Sequence, residues 1–264
     1  MKTYTSTLKK EMIKFDSCEE RIDFLKNKYE GKTAIIILPG PSVNDYDHDE
    51  LRKIFKSRED LVIMPNKGTY DISLETSDFH LMNPWNIDRN NPIKYTNPEN
   101  TITFWNVTAS MQEEHLQMIS NNDHPCDIWV PVLTDPWVKK EECIHNTCNF
   151  EQFWMLGNEY KTIWGTPILY STTIPLALHL GCKDLIIMGW DTHLFNKHKD
   201  KKVHFNQSSD QIVHSQLEEE EIKIIESSHK LYDWFKNNNI NVRLLTDISP
   251  IDDRFERIKS IKDI

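Results

Sequence analysis

The stretch Thr33-Ala34-Ile35-Ile36-Ile37-Leu38-Pro39-Gly40-Pro41-Ser42 joins a short apolar run to a glycine and then to polar groups. A second stretch repeats this arrangement far downstream, where Asp184-Leu185-Ile186-Ile187-Met188 leads into Gly189-Trp190-Asp191. Continuous apolar runs of this length are typical of strands buried on both faces of a parallel sheet. In an open parallel sheet, ligands bind outside the carboxyl ends of the strands. The two stretches therefore predict a Rossmann-like α/β fold with a nucleotide-type ligand at these strand ends.

The rest of the chain alternates predicted strands with predicted helices. Apolar runs predict further strands at residues 61–64, 78–82, 101–106, 127–132 and 240–245. Capping boxes beginning at Ser17 and Ser215 predict two helix starts. A polar helix with Leu51, Ile54 and Phe55 on one face is expected after the first strand. Other helices are expected at residues 111–119 and 172–180, and a short one after Ser249. Strands that alternate with helices indicate a mostly parallel sheet with helices on both faces.

We expect one main domain. Residues 31–264 are predicted to form a single Rossmann-like nucleotide-sugar-binding domain, and residues 1–30 an N-terminal helical extension. Residues 192–214 are charged and polar with little periodicity, which is typical of a mobile lid or insertion. Residues 134–164, rich in tryptophan, asparagine and cysteine, are expected to be irregular.

The composition argues against several classes of partner and location. The 264 residues include 31 Lys and Arg against 41 Asp and Glu, and the net charge of −10 disfavours nucleic acid as a partner. Five cysteines, without a metal-ligand spacing, indicate free thiols in a reducing compartment. No secretory signal is visible, and no window approaches the roughly 20 apolar residues that span a bilayer. We therefore expect a cytoplasmic protein without a transmembrane segment. The sequence is compatible with a homo-oligomer.

Gly40, Pro41 and Ser42 are the first candidate ligand-binding residues. Gly40 lets the backbone turn sharply and come close to a ligand. Ser42 either caps the next helix or donates a hydrogen bond to a phosphate. The dinucleotide fingerprint, which needs three glycines, is absent. An ordinary strand-to-helix turn is the alternative explanation for this stretch.

Polar residues after other strands extend the candidate site. Asp191, beyond Gly189, stands where a carboxylate often accepts hydrogen bonds from ribose hydroxyls, although it could equally cap the next segment. Asn66 and Asn83 each follow a short strand, and an amide that donates and accepts at once suits a nucleobase or a sugar. Turn formation, which Asn favours, is the alternative role for both.

His214 is the candidate general base. It stands one residue before Ser215, at the end of the predicted lid, and histidine is the usual base near neutral pH. A solvated loop histidine is the alternative. His193, His198 and His204 lie in the same segment, but their spacing fits no standard metal site.

Three alternating acids offer a second place to look for a metal. Asp45, Asp47 and Asp49 superficially resemble the carboxylate pair of metal-dependent glycosyltransferases. Here they precede a predicted helix, where acids are expected because they stabilise the positive end of the helix dipole. We therefore expect no metal site.

The motifs form an ordered series: Gly40-Pro41-Ser42, Asn66, Asn83-Pro84, the run from Leu180 to Asp191, and His214-Ser215 before a long helix and a last strand. This order resembles that of the bacterial sialyltransferases of the Campylobacter type. It is also similar to the related superfamily that includes archaeal 6-hydroxymethylpterin diphosphokinases and flagellin-modifying glycosyltransferases. The resemblance covers residues 33–245, with the middle matched weakly.

The resemblance implies a nucleotide site under a lid. In the sialyltransferases, the residues matching Asn66, Asn83 and Asp191 help bind the cytidine nucleotide of the donor. The segment matching Ser171-Thr172-Thr173 opens a helix beside that nucleotide, and the histidine matching His214 is the proposed base. Tyrosines that stabilise the leaving phosphate in that family have no counterpart after Asp191, and His193 is the candidate replacement.

The expected function is therefore sugar transfer. A glycosyltransferase of this kind moves a sugar, such as sialic acid, from a nucleotide-activated donor to a glycan hydroxyl, and a CMP-sugar is the expected donor. It needs no cofactor and no metal. One alternative is a diphosphokinase that moves pyrophosphate from ATP to a pterin and needs magnesium near Asp45, Asp47 and Asp191. A nucleotide-binding module without catalysis is the other.

Overall fold

The computed structural model describes residues 3–73, 75–82, 99–108, 117, 126–132, 172–191, 225, 228–229, 231–246 and 249–264. The helices are α1 (Thr3–Met12), α2 (Cys18–Leu25), α3 (His48–Ser57), α4 (Ile174–His179) and α5 (residues 231–237). The strands are β1 (Thr33–Ile37), β2 (Leu61–Pro65), β3 (Phe79–Met82), β4 (Ile102–Thr108), β5 (Ile128–Val132), β6 (Asp184–Met188), β7 (Asn241–Leu245) and β8 (Glu256–Ile258). Short 3₁₀ turns occupy Pro41–Asp45, Lys67–Ile72 and Ile261–Asp263.

The eight strands within the described residues all pair in parallel. One sheet has the order β2-β1-β6-β7-β8 and a second the order β3-β4-β5. A parallel bridge between Asn66 and Leu81 joins the two sheets, and the Asp78 N–H donates to the Ile63 carbonyl at 2.9 Å. The chain leaves β1 for β2 on one side and returns as β6 on the other side, so β1 and β6 flank the topological switch point. The predicted parallel α/β fold of Rossmann-like type is confirmed.

Helices cover both faces of the sheet. Along the strands, alternate residues point to opposite faces, so Ile36 and Ile187 belong to one buried cluster while Ile35 and Ile186 belong to another. The first cluster includes side chains of α1, α2, α4 and α5, and the second includes Leu51 and Phe55 of α3. The predicted two-faced arrangement is therefore also confirmed.

Helix α1 is held against the amino ends of β3, β4 and β5. Its Leu8 and Met12 are buried in the same core as the sheet. The ammonium of Lys9 donates to the Thr101 carbonyl at 2.7 Å and pairs with Asp127 at 2.9 Å, with both side chains almost fully buried. The Asp127 carboxylate also accepts from the Thr103 N–H at 2.8 Å. The N-terminal helices thus share the core and close the end of the sheet opposite the switch point.

Most predicted elements occur within a few residues of their expected bounds. The capping box of Ser17 and Glu20 opens α2 as predicted. The helix predicted after Ser249 is wrong, because Glu256–Ile258 forms edge strand β8 and only a 3₁₀ turn follows it. A three-residue strand is too short to show an alternating pattern. The predicted helix at 111–119, apart from residue 117, the irregular segment 134–164 and the predicted lid at 192–214 lie outside the described residues.

Among the residues that the structure describes, no helix has the length and apolar character needed to cross a bilayer.

Replacing Lys9 tests the buried ion pair that holds α1. Lys9→Met leaves the Asp127 carboxylate without its cation, and removal of one partner of a buried pair costs about 3 kcal/mol. We expect the free energy of unfolding in urea to fall by that amount, whereas Lys10→Met, at the exposed neighbouring position, changes it by less than about 0.5 kcal/mol. Equal effects of the two variants would contradict this account.

Candidate functional site

The ends of β1 and β6 continue to pair beyond the strands themselves. The Leu38 N–H donates to the Met188 carbonyl at 2.9 Å, and the Gly40 N–H donates to the Gly189 carbonyl at 3.2 Å. These bonds extend the pairing to the edge where parallel sheets bind ligands. The two sequence stretches that predict the site are therefore in direct backbone contact.

Two glycines allow this close approach. A Cβ at Gly40 would overlap the Asp191 carboxylate and the Gly189 carbonyl. A Cβ at Gly189 would overlap the Leu38 carbonyl, and Gly189 also has a φ of +70°, in the left-handed region that favours glycine. Both positions need glycine because another chain segment occupies the space that a side chain would fill.

Ser42 holds the carboxylate of Asp191 with two hydrogen bonds. The Ser42 N–H donates to Oδ2 of Asp191 at 2.9 Å, and the Ser42 hydroxyl donates to Oδ1 at 2.9 Å. Ser42 is buried, while Asp191 is partly exposed. The pair, which we call the Ser42–Asp191 clamp, fixes a partly exposed carboxylate at the switch point.

The clamp changes the role expected for Ser42. Of the two roles expected for Ser42, capping of the next helix is wrong, because the 3₁₀ turn Pro41–Asp45 intervenes and α3 is capped by Asp47. Donation to a phosphate stays a prediction. The Asp47 carboxylate accepts from the N–H groups of Glu50 and Asp49, and these bonds lower the pKa of Asp47. A carboxylate therefore already occupies the helix end that would otherwise attract a phosphate.

The alternating acids have structural partners. Asp47 caps α3, and Asp49 pairs with Arg52 on the same helix. Within the described ranges, no group of three or more His, Cys, Asp or Glu side chains is placed to hold a metal ion. The capping role matches the helix-dipole explanation for these acids.

Asn66 lies at the same edge of the sheet, but its side chain faces inward. The buried Nδ2 donates to the carbonyls of Ile37 and Met64 at 3.4 Å, and Oδ1 accepts from the Thr173 hydroxyl at 2.7 Å. Thr172, which precedes α4, is buried as well. The Asn66 amide thus connects β1, β2 and the start of α4, and a direct contact with a ligand would require these bonds to break.

The structure thus brings part of the predicted site together. The residues placed at the switch point or next to it are Gly40, Pro41, Ser42, Asn66, Thr172, Gly189 and Asp191. The other predicted site residues, Asn83, Ser171, His193 and His214, lie outside the described residues.

The segment after β7 also reaches the switch point, which sequence reasoning missed. The Ser249 hydroxyl donates to the carbonyl of Trp190 at 2.5 Å, directly before Asp191. The buried Trp190 ring packs on Phe255 with a centroid distance of 5.8 Å. Ser249-Pro250 is a turn-initiating pair, and it is the sequence signal that a helix prediction after Ser249 overlooked.

An ionic cluster follows directly in this segment. Asp252 is buried and accepts from the guanidinium of Arg254 and from His229 Nδ1. Burial opposes ionisation, but the hydrogen bonds from Arg254 and His229 outweigh it and hold the pKa of Asp252 well below its usual value. Bonds to Asp252 and Asp233 raise the pKa of Arg254. Arg254 also lies over the Tyr232 ring, 4.4 Å from its centroid, so the cluster ties the loop after β7 to α5.

Substitution of Gly40 tests whether the close approach of β1 and β6 is needed. We expect Gly40→Ala to lower the free energy of unfolding by at least ~2 kcal/mol, because the new methyl must displace Asp191 or the Gly189 backbone. The control is Gly31→Ala, where the new methyl meets open space. Its backbone strain at a φ of +78° lowers the free energy of unfolding by about 1 kcal/mol. Urea unfolding measures both. A smaller loss for Gly40→Ala than for Gly31→Ala would contradict the steric argument.

Comparison of the chain with models of known protein families and with curated proteins finds no match in either.

Proposed function

We propose that the protein is a glycosyltransferase that binds a nucleotide-activated sugar at the β1/β6 switch point and transfers the sugar to a hydroxyl of a glycan acceptor. The observation that carries the proposal is the Ser42–Asp191 clamp, which fixes a partly exposed carboxylate beyond the carboxyl end of β6. In Rossmann-like folds, carboxylates at strand ends accept hydrogen bonds from ribose hydroxyls. Because the clamp holds a carboxylate at such a strand end, it supports a donor that contains a ribonucleotide.

The order of motifs supports a CMP-sugar as the donor. It resembles the order in the sialyltransferases, in which the residues matching Asn66, Asn83 and Asp191 help bind the cytidine nucleotide of the donor. In this chain Asn66 holds the frame of the site through Ile37 and Thr173. We therefore assign direct nucleotide contact to Asp191 and an indirect role to Asn66.

The proposed reaction is a direct displacement at the anomeric carbon. The acceptor oxygen forms a bond to this carbon, while the bond from the carbon to the donor phosphate breaks and its electron pair leaves with the nucleotide. The acceptor proton passes to a base, a role that the resemblance gives to His214, and His193 is the candidate partner of the leaving phosphate. No metal is needed to balance this step.

The diphosphokinase alternative has weaker support. It needs magnesium held by carboxylates around the phosphates. Of its candidate ligands, Asp47 already caps α3. A nucleotide-binding module without catalysis uses the same site, and it differs from the proposal in turning over no donor.

A ligand panel tests the class of nucleotide. We expect CMP or CDP to raise the thermal midpoint without magnesium, because a ligand that binds only the folded state stabilises it by about 2.7 kcal/mol at 100 times its Kd. UMP, UDP, GDP, ADP and ATP, each with and without magnesium, complete the panel. Stabilisation by ATP alone, and only with magnesium, would contradict the proposal in favour of the diphosphokinase.

Neutralising Asp191 tests the site itself. We expect Asp191→Asn to weaken CMP binding about 10- to 100-fold, as loss of a hydrogen bond to a charged group costs roughly 1.5–3 kcal/mol. Calorimetric titration measures the affinity. The matched control is Asp184→Asn, at the opposite end of the same strand, where the carboxylate accepts from Asn241. Equal CMP affinity in the two variants would remove Asp191 from the site.

A further inference from the structure

His229 and Asp252 form a pair in which a buried carboxylate holds an exposed imidazole. His229 Nδ1 lies 2.8 Å from Oδ2 of Asp252. The His229 side chain is 55% exposed, whereas that of Asp252 is 4% exposed. Because the ionised carboxylate only accepts hydrogen bonds, Nδ1 carries the hydrogen, and in the neutral ring Nε2 keeps its lone pair.

The carboxylate of this pair is itself fixed. The Asp252 N–H donates to the Ser228 hydroxyl at 3.1 Å, and the Arg254 side chain donates to both carboxylate oxygens. Arg254 also donates to the carbonyl of His229 at 2.8 Å and pairs with Asp233. These bonds place three charged side chains beside His229, namely Asp252, Arg254 and Asp233. The His229 imidazole is an exposed side chain of this hydrogen-bonded group.

The pair is connected to the switch point. The Ile251 N–H donates to the Ser249 hydroxyl at 3.2 Å, and that hydroxyl donates to the Trp190 carbonyl, directly before Asp191. Asp252 is three residues from Ser249, and three residues span at most about 10 Å. The loop after β7 therefore links the His229–Asp252 pair to the carboxyl end of β6, where Asp191 lies.

We propose that His229, held by Asp252, is the base that takes the proton from the acceptor hydroxyl, in place of His214. This inference rests on the proposed sugar transfer. As the acceptor oxygen bonds to the anomeric carbon and the nucleotide leaves with the electron pair, the acceptor proton moves to Nε2 of His229 and is then released to water. Asp252 keeps the ring in the required tautomer and orientation, the role that a buried carboxylate has beside a catalytic histidine.

The alternative explanation for the same geometry is that the His229–Asp252 pair has only a structural role and holds the loop after β7 against α5. Chemical rescue separates the two roles. In His229→Ala, the docking bond and the base are both lost, but dissolved imidazole replaces only a base. Transfer that returns with imidazole therefore identifies a proton-accepting role.

The test uses the full chain with the donor selected by the ligand panel. We expect His229→Ala to lower kcat about 100-fold or more, to leave KM for the donor within about threefold, and to regain activity with imidazole in a pH-dependent manner. We expect Asp252→Asn to lower kcat as well. The control is Asp253→Asn, which changes a fully exposed acid on the same loop and leaves kcat unchanged.

Nitrogen NMR of labelled histidine supplies a readout that does not depend on turnover. We expect His229 as the Nδ1–H tautomer in the wild-type protein and a mixture of tautomers in Asp252→Asn. Transfer that survives in His229→Ala, or a loss that imidazole does not restore, overturns this inference and leaves the proposed function standing. If the wild-type protein transfers no sugar from any nucleotide donor, the proposed function fails and the inference fails with it.

Discussion

Two hydrogen bonds from Ser42 to the Asp191 carboxylate join the ends of β1 and β6, and the rest of the candidate site is arranged around them. They form only because Gly40 and Gly189 let the two segments approach without side chains between them. The parallel order of the sheet brings these strands side by side although about 150 residues separate them in sequence. A local contact thus depends on the global topology, and the clamp exists only in the folded sheet.

The edge of the sheet at the clamp also differs from a standard dinucleotide site. There, a glycine-rich turn leads straight into a helix whose N-terminus receives the phosphate. Here the turn Pro41–Asp45 separates β1 from α3, and Asp47 occupies the helix end. This edge therefore presents a fixed carboxylate where a dinucleotide site presents a free helix end. Under the proposed function, this carboxylate binds the ribose hydroxyls of the donor nucleotide.

The sequence predicts the strands well because each central strand is an apolar run, and the carboxyl-end rule brings Asp191 near Gly40. It does not predict the buried ion pair that Lys9 makes within the polar, lysine-rich helix α1, or β8, which is too short to have a pattern. Nor does it predict that the Asn66 side chain faces inward, because its hydrogen-bond donor Thr173 lies 107 residues away in the sequence. What it misses depends on contacts between distant residues, and no local pattern records these.

The most direct measurement is a methyl NMR titration of the wild-type protein with CMP, since it locates a ligand without any assumption about turnover. Val43 packs beside Gly189 at the carboxyl end of the sheet, whereas Leu8 of α1 belongs to the opposite, amino end. The account predicts saturable shifts of the Val43 methyls with the Leu8 methyls unchanged. Shifts at Leu8 without shifts at Val43, or no shifts at either position with any ribonucleotide, would contradict a nucleotide site at the switch point.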